Sequence, residues 1–202
     1  MWQTSDFADD RLPETLDGVA ATINGKTASV YFISPQQVNV QVPSDAAVGP
    51  VEVVLKNRYG AATGTVLLQA YAPALFPLLG KYAAAVHTDG VLVAPPGSIS
   101  DLNTRSARPG ETIQIYGTGF GPTLPAVAAG QVFNGSAPLA DPTLLEVRIG
   151  GLPVTVQYAG LVGPGEYQFN VVVPLLSDGN YPIVAEIAGL PSQASLSIPI
   201  KN

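Results

Sequence analysis

Cysteine is absent from this chain, and histidine occurs once, as His87. The first absence excludes disulfides, thiolate nucleophiles and cysteine-ligated zinc. The second excludes any site that needs two or more histidines, which covers most catalytic zinc constellations. Basic residues are scarce as well: 9 against 15 acids, for a net charge of −6. A duplex or RNA partner needs a basic footprint, so no nucleic acid is expected to bind. The longest apolar runs, 48–55 and 66–79, are broken by Gly, Pro, Glu or Gln. They fall short of the roughly 18–20 residues that span a bilayer, so a membrane span is not expected. No amphipathic helix with caps can be traced, and only 12–16 and 45–48 read as short helical turns.

What is present points to strands. Hydrophobic residues make up 47% of the 202 residues and charged ones 12%, enough apolar material to bury a core. Gly (21) and Pro (19) are frequent and evenly spread, as in a protein of many short strands and turns. Self-comparison is the most informative step. INGKTASVYF at 23–32 matches IGGLPVTVQY at 149–158, and NVQVP at 39–43 matches NVVVP at 170–174. GPVEVVLK at 49–56 and GNYPIVAEI at 179–187 come next, each followed by a Gly-led turn and a last strand. The period, about 130 residues, is too long for a solenoid and implies two homologous domains.

Val38, Val40 and Val42 alternate with Asn39 and Gln41, and Phe169, Val171 and Val173 alternate with polar or smaller neighbours. A period of two puts one face in a core and one outside. Asn24-Gly25, Gly150-Gly151 and Asp89-Gly90 are hairpin turns. Pro43 and Pro174 end their strands. The second copy opens with ARPGETIQIYGTGFGP at 107–122, a strand followed by a glycine-rich bend, and the first copy has no counterpart. The expected architecture is therefore two tandem immunoglobulin-like antiparallel β-sandwiches, the first lacking its opening strand. The first domain is expected at 1–80, a hairpin and linker at 81–106, and the second domain at 107–202.

The 107–122 segment resembles the opening strand of IPT/TIG-type immunoglobulin-like domains. The chain as a whole resembles an uncharacterised C-terminal module of large secreted proteins of Acidobacteria, Solibacter in particular. The matching segments are LPETLDGV (12–19), ISPQQVNVQVP (33–43), YAAAVHTDG (82–90), the 107–122 strand and VQYAGLVGPGEYQFNVVVP (156–174). The resemblance implies an extracellular or cell-surface location within a longer protein, and a supporting, adhesive or sorting role. It carries over no activity, cofactor or site residue.

The expected function is a non-catalytic structural, adhesion or binding module that needs no cofactor. Three alternatives stay open. One is a carbohydrate-binding module that contacts polysaccharide through exposed aromatics; Tyr31, Tyr82, His87 and Tyr116 are the candidate contacts. A second is a small esterase-like hydrolase, with His87 as base beside Asp89 and a nucleophile such as Ser98. Against it, no nucleophile-elbow motif is present. The third is self-association through the sheet edge left open by the missing strand. Asp6, Asp9 and Asp10 form an acidic cluster that calcium would favour, although the spacing of a calcium loop is missing. The GTGFG run at 117–121 lacks the lysine and helix of a phosphate loop and reads as a bend.

Overall fold

The computed structural model describes residues 6, 10–44 and 47–202, and these are all-β. They form two compact units: residues 1–70 with 126–134, and residues 71–125 with 135–202. This division departs from the expected boundaries in two ways. The 81–106 stretch, expected as a junction, is wholly part of the second unit. Tyr82, Ala83, Ala85, Val93 and Ala94 are buried there, and a polar Ser/Pro/Gly composition after Pro95 had masked this core character. Conversely, residues 126–134 belong to the first unit. Leu12 N–H donates to Gly130 C=O (2.8 Å), and Val132 N–H to Asp10 C=O (2.7 Å).

The first unit contains strands β1 (Thr15–Leu16), β2 (Val19–Ile23), β3 (Lys26–Ser34), β4 (Gln37–Gln41), β5 (Gly49–Asn57) and β6 (Gly60–Leu68). They are ordered β4-β3-β2-β5-β6, with β1 on β2. The helical turn expected at 12–16 does not form. Asp17 (φ 47°) and Gly18 (φ 77°) both take left-handed angles, which closes a two-residue hairpin between β1 and β2. Of the other expected turn, Asp45 and Ala46 lie outside the described residues. A compact cluster of Ala21, Ile23, Ala28 and Val51, with Val40, Val53 and Leu68 against it, holds the sheet.

The second unit contains short strands β7 (Ala74–Leu75), β8 (Pro77–Leu78), β9 (Tyr82–Ala83), β10 (Ala85–His87), β11 (Leu92–Val93) and β12 (Thr104–Arg105). Then come β13 (Thr112–Thr118), β14 (Ala137–Pro138), β15 (Leu145–Ile149), β16 (Leu152–Pro153), β17 (Val156–Gly163) and β18 (Glu166–Val172). The last three are β19 (Gly179–Ile187), β20 (Leu190–Pro191) and β21 (Ser197–Ile200). One sheet runs β12-β11-β10-β13-β18-β17-β14 and the other β16-β15-β19-β21-β9-β8. Ile113, Ile115, Phe169 and Val171 from the first sheet are fully buried, as are Val147, Ile149, Ile183, Ile187 and Ile198 from the second. Phe120 fills the space beside Phe169, edge to face at 4.5 Å between ring centres.

The repeat extends to fine structure. β3 carries a bulge between Val30 and Phe32 where it pairs with β4, and β17 carries one between Val156 and Tyr158 where it pairs with β18. These are matching positions of the two copies. So are Gln37–Asn39 and Gln168–Asn170, each joined by an amide–amide hydrogen bond along its strand (2.6 and 2.8 Å).

The glycine-rich bend has a packing cause. At Gly119 (φ 79°) a Cβ would drive into the Ala72 carbonyl, and at Gly121 it would meet the Tyr71 ring. The bend thus lets residues 71–74 cross β13 at backbone contact, and Ala72 N–H donates to Gly119 C=O (2.9 Å). Gly90 has a similar φ of 83° but nothing within 4 Å of its missing Cβ. Gly119→Ala is therefore expected to cost about 2–4 kcal/mol of stability, and Gly90→Ala only about 1 kcal/mol. Urea unfolding of the two variants side by side checks the difference.

Candidate functional site: an aromatic and amide face on the second unit

Side chains alternate across a strand, so the register of β13, β18 and β17 decides which ones share the outer face. Gln114 pairs with Asn170 and Tyr116 with Gln168 across β13–β18, while Tyr158 pairs with Asn170 and Gly160 with Gln168 across β17–β18. All the side chains among these are outward and partly exposed, while Ile113, Ile115, Phe169 and Val171 point into the core. The result is an amide patch of Gln114, Gln168 and Asn170 with a tyrosine on each side. Neighbouring strands lie about 4.8 Å apart, so the two tyrosines rise from backbones about 10 Å apart across the sheet.

Glycines on β17 shape this face. The missing Cβ of Gly160 would lie 2.5 Å from the Tyr158 hydroxyl, so the ring can lean along its strand over that position. Ser136 Oγ donates to the Tyr158 hydroxyl at 2.9 Å and holds it there. Gly163 leaves room in the same way for the Glu166 carboxylate, 3.2 Å from its missing Cβ. Burial pushes the Glu166 carboxyl above the usual range. Burial, and then the Glu166 charge, push the Tyr116 hydroxyl up.

The polar groups on this face are only partly used by one another. Tyr116 Oη donates to Gln114 Oε1 (3.3 Å), and Gln168 Nε2 donates to Asn170 Oδ1 (2.8 Å). Gln114 Nε2, Gln168 Oε1 and Asn170 Nδ2 take no protein partner among the described residues. Two donors and an acceptor therefore remain open between the two tyrosines.

The other sequence candidates divide sharply. Tyr82 is 4% exposed and His87 1%, so neither offers a binding surface. The Tyr82 ring packs in the core and meets the Lys81 ammonium at 5.0 Å. Tyr31 is the bulge residue of β3, exposed, and belongs to the first unit. Of the four expected contacts, only Tyr116 stands on the described face.

The hydrolase constellation is not assembled. His87 Nε2 faces the Arg105 carbonyl at 3.1 Å. Its Nδ1 lies 3.1 Å from Glu111 Oε1, without the alignment of a hydrogen bond. Asp89 is turned to Arg105 instead (2.9 Å), whose hydrogen bond holds its carboxyl below the usual range. Ser98 Oγ donates to the Pro95 carbonyl within its own turn. Buried, with Nε2 on the Arg105 carbonyl and Nδ1 beside Glu111, His87 has no serine hydrogen-bonded to it among the described residues.

The acidic cluster does not form a site among the described residues either. Asp9 lies outside them, Asp10 is exposed and Asp6 is half-buried. No three His, Asp or Glu side chains gather there. The first unit has a cleft of about 300 Å³ whose lining includes Arg11, Glu14, Ser29 and Gln41, and no aromatic ring. No described helix is long and apolar enough to cross a membrane.

Of the residues on this face, sequence reasoning offered only Tyr116 as a contact and did not offer Gln114, Tyr158, Glu166, Gln168 or Asn170. The repeat held a usable signal for Tyr158, since Phe32 occupies its position in the first copy and lies opposite Asn39. Gln114 and Glu166 needed the register.

No family model matches the chain, and no curated protein matches it. Among solved structures, the chain is similar to SGBP-B of the Bacteroides ovatus mixed-linkage glucan utilization locus, in complex with a mixed-linkage heptasaccharide. The identity is 17% and the TM-score 0.34, over 92% of this chain and 37% of that one. It is also similar to gamma-CGTase from Alkalophilic bacillus clarkii, at 14% identity and a TM-score of 0.33, over 96% of this chain and 25% of the enzyme. The chain spans well under half the length of either protein, and likeness at this level carries no conclusion about ligand.

Two predictions follow from this geometry. His87→Ala leaves a cavity and an unmatched Arg105 carbonyl, and is expected to cost about 2–4 kcal/mol in thermal or urea unfolding. The raised Glu166 pKa means that ionisation opposes folding. That penalty is absent below the ordinary carboxyl range and grows as pH rises through the folded-state value. Glu166→Gln is therefore expected to raise the melting temperature at pH 7 and to lose the advantage near pH 4, as followed by circular dichroism.

Proposed function

We propose that the second unit is a polysaccharide-binding module, and that its ligand lies across the outer face of β13, β18 and β17. The observation that carries the reading is the pairing of Tyr116 and Tyr158 around Gln114, Gln168 and Asn170, with amide groups left unengaged. Sugar rings present flat C–H faces and a rim of hydroxyls. Tyrosine rings offer stacking area for the former, and amides donate to and accept from the latter. The tyrosine hydroxyls keep each ring's edge wet, which suits an open surface better than a closed pocket. A neutral or mildly basic glycan fits best, because Glu166 and the chain's net charge of −6 disfavour an anionic one.

The reading fits the resemblance to extracellular modules of secreted Acidobacterial proteins, since polysaccharide is met outside the cell. The module would act as a non-catalytic contact that keeps a longer protein on its glycan. Affinity electrophoresis against soluble neutral polysaccharides, followed by calorimetry on the best of them, tests it. Tyr116→Ala and Tyr158→Ala are each expected to weaken binding 10-fold or more, equivalent to about 1.4 kcal/mol. Absence of binding to any neutral polysaccharide, or binding that survives both substitutions, would overturn the proposal.

A further inference from the structure

The two copies differ at one sheet edge. In the second unit β18 is paired on both sides, by β17 and by β13, and the sheet continues to β10, β11 and β12. In the first unit, among the described residues, the matching strand β4 pairs with β3 alone and nothing takes the place of β13. The consequence is visible in burial. Phe169, Val171 and Val173 are 1%, 0% and 1% exposed, whereas their counterparts Val38 and Val40 are half-buried and Val42 is 47% exposed.

The second unit also shows what such an edge accepts. Val173 exchanges hydrogen bonds with Gly110 and Glu111 ahead of β13, while Val172 donates to Thr155 ahead of β17. Residues of the same parity as Val173 therefore turn their N–H and C=O toward β13. By the repeat, Val38 and Val40 turn theirs toward the open edge. Inside, β13 places Ile113 and Ile115 opposite Val171 and Phe169; outside, it places Gln114 opposite Asn170. The acceptable strand is thus apolar on the inner face and amide-bearing on the outer face.

β4 has that composition itself. Its sequence, Gln37-Val38-Asn39-Val40-Gln41, reads the same in both directions and carries no charge or proline. Natural edges are normally guarded by such residues. We infer that this edge pairs with the β4 of a second copy, antiparallel and centred on Asn39. Val38 then meets Val40 of the other copy and exchanges both backbone bonds with it. Asn39 meets Asn39 across the two-fold axis as a close, non-hydrogen-bonded pair, and Gln37 meets Gln41. The pairing reproduces the inner-apolar, outer-amide code of β13 with β18. The contact is small, so the dimer is weak and depends on concentration.

The chain has no cysteine, which makes a single-site cross-link clean. Asn39 is exposed, so Asn39→Cys and Asn39→Lys leave the core untouched. Under mild oxidation Asn39→Cys is expected to form a disulfide-linked dimer at least 10-fold faster than Asn57→Cys, a control on β5 that is also exposed. In sedimentation the unsubstituted chain is expected to shift toward dimer with rising concentration, and Asn39→Lys, which sets two ammonium groups face to face, to weaken this at least 10-fold. Thermal melting checks that each variant is folded. A chain that stays monomeric throughout, equal cross-linking at positions 39 and 57, or a dimer that Asn39→Lys leaves intact would each overturn the inference. None of these results bears on glycan binding by the second unit.

Discussion

Six consecutive residue pairs, from Thr112 with Val172 to Gly117 with Tyr167, lock β13 to β18. Because side chains alternate, that one register sorts the residues of both strands. It sends Ile113, Ile115, Phe169 and Val171 into the core and gathers Gln114, Tyr116, Gln168 and Asn170 outside. A slip of one residue would bury the amides and expose the aliphatics, so the energy that fixes the core also fixes the face. The bend after β13 is part of the same lock. The glycines from Gly117 to Gly121 admit residues 71–74 against the strand, and the Tyr167 hydroxyl closes onto the Gly121 carbonyl.

The first unit shows what the scaffold is without that pair. It keeps the bulge, the aromatic opposite asparagine, and the amide bond along β4. Among its described residues, no strand covers Val38, Val40 and Val42 as β13 covers their counterparts. Residues 126–134 attach to this unit through Leu12, whose N–H donates to the Gly130 C=O, and Gln41, whose Oε1 accepts from Gly130 N–H at 2.7 Å.

The polar groups obey one rule with two outcomes. Inside, His87 is satisfied on one side by a backbone carbonyl and sits against Glu111 on the other, where it serves the packing of β10 on β13. Outside, the amides of β13 and β18 are left half-satisfied, which costs little because water can reach them. Burial removes reactivity from the residue with the most suggestive chemistry. Partial exposure leaves hydrogen-bonding groups open on residues that have no reactive chemistry.

The sequence by itself determined the all-β class, the internal repeat and the alternation of β4 and β18. Each of these rests on local periodicity or on self-similarity, and neither needs a third dimension. It also marked Tyr116 as a candidate aromatic contact. Only the tertiary structure decided that Tyr82 and His87 are buried, that residues 81–106 belong to the second unit and 126–134 to the first, and that Tyr158 and Glu166 join Tyr116 on one face. Those facts depend on which strand lies beside which, and pairing between residues far apart in the chain leaves no local pattern to read.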